Sequence, residues 1–310
     1  MQFSIIIPAK NEEANIGRCL DSISQVDWDS SQYEVIVVDN GSIDKTVEIA
    51  IEKGATVYSK PGLTISGLRN YGSLMASGKI LAFLDADCAV SKQWLEAASR
   101  YLANDSVAAF GSPVIVPEGG TWIQNAWFNV RGKPDQVIDV EWLESANLFV
   151  KSSAFNSVNG FDETLITCED YDLTQRLKVI GRIISDHRIM AIHYREPATI
   201  KEFFNKELWR GRNNYSGIFT RSINRSEIPS LIFPLIYLSL FFASFVACIV
   251  CVAYTVKVFL LFFLFLLLSW QLPILLVSFR KNKSNNMLTT LQLLILFNVY
   301  FLARGFVVLR

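Results

Sequence analysis

Long apolar segments near the C-terminal end of the chain constrain its fold more than any other feature. Leu231 to Val256 and Val258 to Phe279 contain no charged residue. At about 1.5 Å per residue, each forms a helix longer than the roughly 30 Å hydrocarbon core of a bilayer. We therefore expect two membrane-spanning helices joined near Lys257. Leu288 to Val308 is a plausible third span. The charge of Arg304 weakens this segment as a span, but Arg304 lies near enough to its end to snorkel to the interface.

Basic residues beside the first two spans predict which side of the membrane they face. These residues are Arg221, Arg225, Arg280, Lys281 and Lys283. A helical hairpin places all of them on one side, which the positive-inside rule makes cytosolic. The five cysteines show no disulfide framework, which also fits reduced thiols in the cytosol. We predict a multi-pass protein of the plasma or inner membrane, with a cytosolic domain over residues 1–225 and a transmembrane region over residues 229–310.

The N-terminal part of the chain alternates short apolar strands with amphipathic helices. A first strand over Phe3–Ile7 is expected to stop at Pro8, and a second strand covers Tyr33–Val38. A polar turn and a helical apolar pattern follow each of them. Repeated strand–helix units argue for right-handed crossovers and a parallel sheet. The predicted fold class is therefore α/β, Rossmann-like, with a mainly parallel sheet flanked by helices.

A pair of aspartates follows the most apolar strand of this region. Ile80–Leu84 is an unbroken apolar run, and Asp85 and Asp87 come directly after it. Residues two apart in an extended chain project to the same side, so both carboxylates could face one divalent cation. The carboxyl ends of strands in open α/β sheets are where ligands bind. The alternative for an isolated Asp-x-Asp is a solvated turn.

Four motifs occur along the first part of the chain: FSIIIPAKNEE, EVIVVDNGSIDKT, SGLRNYG and ILAFLDAD. In this order and at these spacings they resemble the nucleotide-sugar half of family 2 glycosyltransferases, which have the GT-A fold. A later Gly-Phe-Asp-Glu segment and a Glu-Asp helix start extend the resemblance over residues 3–220. It implies a nucleotide-sugar half over 1–110, an acceptor half over 111–198 and an interfacial helix over 199–225.

The resemblance assigns donor and metal roles to particular residues. The nucleotide-sugar contacts would be Pro8, Glu12, Asp39, Arg69 and Asp85. Asp87, together with Asp85, would hold Mg²⁺ or Mn²⁺ against the two phosphates, with Asp87 the direct ligand. His193 stands where some GT-A enzymes supply a third metal ligand.

Four of these donor and metal candidates also have an alternative structural role. Asp39 can be a turn or helix-capping residue, and Glu12 can be an acid in the first turn of a helix. Arg69 can be a surface arginine. His193 can be a core or surface histidine whose hydrogen bonds are satisfied within the fold.

On the acceptor side, the resemblance points to two neighbouring acidic residues, Glu169 and Asp170. Asp170, at the start of the Glu-Asp helix, is the candidate general base that takes a proton from the attacking hydroxyl. Glu169 is the second candidate. The alternative for Asp170 is a helix N-terminal acid that forms a salt bridge with Arg176.

Aromatic and basic residues interleave over Thr199–Arg221, which suits a helix at the membrane surface. Processive synthases of the family carry a Gln-x-x-Arg-Trp motif in this region. Here the corresponding segment, Glu207-Leu-Trp-Arg210-Gly-Arg212, does not match it. The sequence therefore argues against a processive polymerase.

The resemblance implies inverting, metal-dependent transfer of a sugar from a nucleotide-diphosphate sugar, and the apolar segments favour a membrane-associated acceptor in cell-envelope polysaccharide or glycolipid synthesis. A lipid-linked saccharide is favoured as acceptor, and a polyprenyl phosphate is the alternative. Formal net charge is zero, so no nucleic-acid partner is expected. Nucleotidyl transfer is disfavoured because a Gly-rich phosphate loop is missing after the first strand. A non-enzymatic alternative is a membrane-anchored glycan-binding or scaffold protein with a decayed site.

Overall fold

The computed structural model describes residues 1–131, 135–212, 228–254, 257–284 and 286–307. The chain divides into two compact units. Unit 1 comprises Met1–Glu118 and Gly132–Glu196, and unit 2 comprises Gly119–Arg131 and Pro197–Arg310.

The strands of unit 1 are β1 (Phe3–Ala9), β2 (Tyr33–Asp39), β3 (Thr56–Ser59), β4 (Ile80–Leu84), β5 (Cys88–Val90), β6 (Val107–Gly111), β7 (Val137–Asp139), β8 (Asn147–Lys151), β9 (Arg182–Asp186) and β10 (Ala191–His193). Its helices are α1 (Ile16–Ser24), α2 (Thr46–Glu52), α3 (Ile65–Met75), α4 (Trp94–Ser99), α6 (Ser152–Ser157) and α7 (Glu169–Lys178). Unit 2 contains α5 (Trp122–Arg131), α8 (Ile200–Arg210), α9 (Ile228–Tyr254), α10 (Lys257–Lys281) and α11 (Met287–Phe306).

An eight-stranded sheet organises unit 1, in the order β3-β2-β1-β4-β8-β6-β9-β7. The first four strands in this order are mutually parallel, and β6 is parallel to β9. Strand β8 runs antiparallel to both β4 and β6, and β7 runs antiparallel to β9. A separate antiparallel ribbon joins β5 to β10. The predicted α/β fold with a mostly parallel sheet flanked by helices is confirmed.

Alternate residues of the strands fill two separate cores, one on each face of the sheet. Ile5 and Ile7 pack with α1 and α4 on one face, whereas Ile6 and Phe83 pack with α6 and α7 on the other. This alternation is the period-2 geometry of a strand that is buried on both faces. Continuous apolar runs in β1 and β4 therefore follow from helices covering both sides.

Strand β1 continues beyond the point where the sequence predicted its end. Pro8 was expected to stop the strand, but β1 extends through Pro8 to Ala9, with Pro8 in register with Val38 of β2. Pairing with β4 on the other side ends at Ile6. Pro8 therefore lies where β1 has lost one neighbour, a position at which a strand tolerates a residue without an N–H.

Helix α3 packs closely on the sheet through a glycine. A Cβ on Gly72 would lie 2.5 Å from Cγ2 of Ile6 and 3.2 Å from Cγ2 of Val38. Only a residue without a side chain allows this approach. Gly72 of the SGLRNYG motif thus lets α3, which carries Arg69 and Asn70, lie close to the sheet.

Three helices of unit 2, namely α9, α10 and α11, have the length and apolar composition to cross a bilayer. They correspond to the predicted segments at 231–256, 258–279 and 288–308. The helix predicted over Thr199–Arg221 is α8, which ends at Arg210. Residues 213–227, with Arg221 and Arg225, lie outside the described part of the chain. Arg304, which was expected to snorkel to the interface, forms a salt bridge with Glu207 of α8.

Candidate functional site

The candidate site lies at the carboxyl edge of the parallel strands in unit 1. Ala9 at the end of β1 is in register with Asp39 at the end of β2, and β4 runs beside β1 in the same direction. The loops that follow these three strands therefore begin at one edge of the sheet. They carry Glu12, Asp39 and the Asp85–Asp87 pair.

Glu12 belongs to the loop after β1, and α1 begins only at Ile16. Its backbone N–H donates to Oγ1 of Thr46 at 2.7 Å, and Asn11 adopts a left-handed conformation with φ 53°. Its carboxylate accepts a hydrogen bond from Arg195 at 2.5 Å. The alternative of an acid in the first helical turn is therefore wrong, because Glu12 precedes the helix. Its nucleotide contact stays a prediction, as does that of Pro8.

Asp39 is buried at the end of β2 and fixes the turn that follows. Its Oδ2 accepts from the N–H of Gly41 at 2.9 Å, and its Oδ1 accepts from the N–H of Ser42 at 3.2 Å. Gly41 has φ 71°, a conformation that glycine adopts without strain. Asp39 therefore has the structural role in the turn that was its alternative to nucleotide binding. A carboxylate has about four lone-pair sites, so acceptor capacity remains for a ligand.

Arg69 is buried at 2% exposure and joins two carboxylates from different parts of the chain. Its Nη2 donates to Oδ1 of Asp85 at 2.8 Å, and its Nη1 donates to Oε1 of Glu169 at 2.9 Å. The alternative of a surface arginine is wrong. Arg69 thus connects the end of β4, on the predicted donor side, with the start of α7, on the predicted acceptor side.

We expect Arg69→Met to lower the free energy of unfolding of unit 1 by about 3–5 kcal/mol, because the buried carboxylate of Glu169 and the partly buried carboxylate of Asp85 lose their counter-charge. The slowest-exchanging amides of β1 and β4 should then exchange more than about 10²-fold faster in the full-length protein, measured by hydrogen–deuterium exchange. The matched control is Arg182→Met, which removes an exposed salt bridge to Asp139. That control should change the free energy by less than about 1 kcal/mol. Equal effects of the two variants would show that Arg69 contributes no more than a surface arginine.

The Asp-x-Asp pair is divided between two different partners. The carboxylate of Asp85 is bound by Arg69, whereas Oδ1 of Asp87 lies 3.4 Å from Nε2 of His193. His193 faces Cys88 directly across the β5–β10 ribbon. Ligand atoms of Asp87, Cys88 and His193 lie within 4.8 Å of one another. Asp85 is outside this cluster because its carboxylate points to Arg69.

The cluster fits a divalent cation by the chemistry of its donors. A carboxylate oxygen and an imidazole nitrogen are both common ligands of divalent metals. Nδ1 of His193 is buried and has no hydrogen-bond partner among the described residues. The alternative of a histidine satisfied within the fold therefore does not describe this side chain. Cys88 is buried and adds a third donor atom.

Asp170 and Glu169 begin α7, and the residue before them has an uncommon backbone conformation. Cys168 is left-handed with φ 66°, which is rare for a residue other than glycine. Asp170 is half-buried, and its Oδ1 accepts from the N–H of Tyr171 at 2.7 Å. The expected alternative, a salt bridge from Asp170 to Arg176, is wrong. Arg176 instead binds Asp172, four residues earlier on the same helix.

Burial, together with the nearby charges of Glu169 and Glu144, raises the pKa of Asp170 to about 7. Loss of solvation disfavours the charged carboxylate, and nearby negative charges act in the same direction. A carboxyl group with a pKa near neutrality holds and releases a proton in the physiological range. This is the property expected of a general base.

Several residues around the site were missed by sequence reasoning. They are Glu144 beside Asp170, Arg195 on Glu12, and Asn70, which binds the backbone of Phe161 through both its N–H and its carbonyl oxygen. Their partners are far away in sequence, 183 residues in the case of Arg195. No local pattern signals such pairs. Only Cys88 carried a usable signal, since it directly follows Asp87.

The chain is similar in sequence to a known family and to characterised glycosyltransferases. The profile of glycosyl transferase family 2 matches residues 4–157. The glycosyltransferase AglE of Haloferax volcanii is 34% identical over 206 residues, which cover 63% of this chain and 67% of AglE. The β-monoglucosyldiacylglycerol synthase of Nostoc sp. is 28% identical over 193 residues, which cover 56% of this chain and 40% of the synthase.

A solved structure is similar over nearly the whole chain. It is the mannosyltransferase PcManGT from Pyrobaculum calidifontis in complex with GDP-Man and Mn²⁺, with a TM-score of 0.64 and 18% sequence identity. The match covers 97% of this chain and 87% of PcManGT. At this identity the similarity shows that the fold is shared.

Proposed function

The chain belongs to glycosyltransferase family 2, and from this membership we propose that it is an inverting, metal-dependent enzyme with a membrane-associated acceptor. The sugar donor is a nucleotide-diphosphate sugar. The observation that carries the proposal is the Arg69 network in unit 1, which links Asp85 after β4 to the start of α7 beside Asp170. One buried arginine thus connects the predicted donor carboxylate with Glu169, the residue next to the predicted base.

The donor occupies the carboxyl edge of β1, β2 and β4. Pro8, Glu12 and Asp39 contact the nucleotide, and Asp85 faces the diphosphate while Arg69 fixes its orientation. Asp87 and His193 hold Mg²⁺ or Mn²⁺, in line with the Mn²⁺ in the structure of PcManGT. When bound, such a cation stabilises the charge that develops on the leaving diphosphate.

Asp170 takes the proton from the attacking acceptor hydroxyl. Its raised pKa lets it accept that proton near neutral pH. Glu169 is less suited to this role because its carboxylate is engaged by Arg69. A single base and a direct displacement invert the configuration at the anomeric carbon.

The acceptor is a lipid-linked saccharide held at the cytosolic face of the membrane. A sugar hydroxyl needs a base, whereas a polyprenyl phosphate is already anionic and needs little base catalysis, so the properties of Asp170 favour the saccharide. Helices α9 and α10 anchor the enzyme where such a lipid is presented. The synthase of Nostoc sp., whose name specifies a diacylglycerol product, supports a lipid-borne acceptor.

The test uses full-length protein in detergent with a panel of UDP- and GDP-sugars, Mn²⁺ or Mg²⁺, and either a lipid-linked saccharide or a polyprenyl phosphate. We expect one donor to release nucleoside diphosphate faster when the saccharide is present, with a product of inverted anomeric configuration by NMR. Stimulation by the polyprenyl phosphate alone would replace the proposed acceptor. Absence of release from every donor with either acceptor would favour a glycan-binding or scaffold protein with a decayed site.

A further inference from the structure

A buried salt bridge connects α11 to the charged helix α8. Nε and Nη2 of Arg304 donate to Oε2 of Glu207 at 3.1 and 2.9 Å. The other oxygen of Glu207 accepts from Nη1 of Arg210 at 2.8 Å. Glu207 is 2% exposed. The side chain of Arg304 is 12% exposed, so both charged ends of this bridge are largely enclosed.

Close packing extends this contact to the end of α11. A Cβ on Gly211, just after α8, would lie 2.6 Å from Cγ2 of Val307. The rings of Phe204 and Phe306 also meet, with centroids 6.4 Å apart. The C-terminal turns of α11 thus lie directly against α8.

Helix α5 covers the middle of the same helix. The ring of Trp127 lies 5.8 Å from the rings of both Phe297 and Tyr300. Trp127 also contacts Phe203 of α8, at 4.8 Å between ring centroids. Two helices from outside the long apolar segments therefore pack along α11 from Phe297 to Val307.

The composition of α8 excludes it from the hydrocarbon core. Its charged residues are Lys201, Glu202, Lys206, Glu207 and Arg210. Lys201 and Glu202 are exposed, and exposed charges within a bilayer are strongly disfavoured. Helix α8 therefore lies in water or among lipid headgroups, and the end of α11 that packs against it lies at the same level.

Chain connectivity fixes the side of the membrane. Unit 1 ends at Glu196 and α8 begins at Ile200. Four residues span at most about 14 Å, which is less than half of the roughly 30 Å hydrocarbon core. The C-terminal end of α11 is consequently on the same side of the membrane as unit 1.

The N-terminal end of α11 lies on that side as well. Nδ2 of Asn282, just after α10, donates to Oγ1 of Thr290 at 2.8 Å. Asn282 directly follows α10, the second span, and the basic residues Arg280, Lys281 and Lys283 lie beside it in the sequence. Two crossings return the chain to the side of unit 1.

Contacts with α9 agree with this placement. A Cβ on Gly305 would lie 2.9 Å from the carbonyl oxygen of Pro234, and Oη of Tyr237 donates to Oδ1 of Asn298 at 3.0 Å. Pro234 and Tyr237 lie in the part of α9 where the chain enters the membrane. A spanning helix of about 30 Å would instead bring Gly305 toward Tyr254, at the far end of α9.

We propose that α11 does not cross the bilayer but lies in its interfacial layer on the side of unit 1, so that it adds no crossing to the two-span hairpin of α9 and α10 and its C-terminal end faces the same side as unit 1. Together with α5 and α8 it forms a platform whose partner is the lipid headgroup surface. The apolar side chains of α11 pack against the hairpin of α9 and α10 and against the platform helices α5 and α8. This arrangement is independent of the identity of the donor and acceptor.

The test compares reporter fusions of the full-length protein after Lys257, Lys283 and Arg310, using a fluorescent protein active in the cytosol and a phosphatase active outside it. We expect the fusions after Lys283 and Arg310 to report the same side and the fusion after Lys257 to report the opposite side. A fusion after Arg310 that agrees with Lys257 and differs from Lys283 would overturn the proposal.

A second measurement avoids the bulk of a fused reporter. A short epitope tag after Arg310 is probed by antibody in sealed right-side-out and inside-out vesicles, with an identical tag before Met1 as the marker for the side of unit 1. We expect both tags to become accessible in the same vesicle type. Accessibility in opposite vesicle types would mean that α11 crosses the bilayer.

Discussion

Asp170→Asn is expected to lower the rate of sugar transfer by about 10²- to 10⁴-fold, the usual contribution of a general base. The amide keeps the shape of the side chain and its hydrogen bond from Tyr171 but does not accept the proton. The KM for the donor and the affinity for Mn²⁺ should remain as in the parent, because Asp170 lies outside the Asp87 cluster. Single-turnover rates and donor titrations measure both quantities.

The pH dependence of transfer provides a second readout of the same residue. Because the pKa of Asp170 is about 7, its basic form is depleted below that pH, so the parent rate should rise about tenfold per pH unit until it levels off above pH 7. The residual rate of Asp170→Asn should lack this rise.

The matched control for Asp170→Asn is Asp172→Asn on the same helix. Asp172 pairs with Arg176 four residues away, a contact worth about 0.3–0.5 kcal/mol, so transfer should stay near the parent rate. A parent-like rate in Asp170→Asn would mean that Glu169 is the base or that the acceptor needs none. Changing both Glu169 and Asp170 to amides separates these cases, since an active double variant indicates a phosphate acceptor and an inactive one a hydroxyl.

Asp87→Ala is expected to abolish sugar transfer and to weaken Mn²⁺ binding by more than about 10²-fold. Even groups that only support a metal ligand are worth about 10- to 100-fold in affinity, so loss of a direct ligand should cost more. Nucleoside-diphosphate binding should weaken in Mn²⁺ but remain unchanged in chelator, because the carboxylate acts through the cation. Calorimetry of the nucleotide and electron paramagnetic resonance of free Mn²⁺ measure these effects independently of activity.

The control for Asp87→Ala is Asp105→Ala. Asp105 is a fully exposed carboxylate of the same unit, paired with Lys151, and its loss should leave transfer and Mn²⁺ affinity at parent values. If Asp87→Ala bound Mn²⁺ as tightly as the parent, Asp87 would be a structural turn residue rather than a metal ligand.

Local sequence patterns were sufficient to predict the strands β1, β2 and β4 and the edge at which the site lies. The apolar runs of β1, β2 and β4 and the polar residues after each were visible directly, because burial on both faces and the strand end are properties of adjacent residues. The lengths of α9 and α10 were equally clear, since hydrocarbon thickness sets a minimum apolar length. The fold class followed from the same information.

The partners of the site residues were not predictable in this way. Arg69 binds Asp85, 16 residues away, and Glu169, 100 residues away. Such pairs depend on how α3 and α7 pack around the sheet. A local sequence pattern does not contain the spatial distance between residues that are far apart in the chain. The pKa of Asp170 likewise follows from burial and from charges that the fold brings together.

The sequence by itself determined the apolar strands β1, β2 and β4 and which segments are apolar enough for a membrane, because both depend on residues that are neighbours along the chain. Only the tertiary structure decided that Arg69 is buried between two carboxylates and that Arg304 pairs with Glu207. The sequence around a charged residue does not show whether its side chain faces water or a buried partner. The difference arises from desolvation and pairing, which exist only once distant segments have packed together.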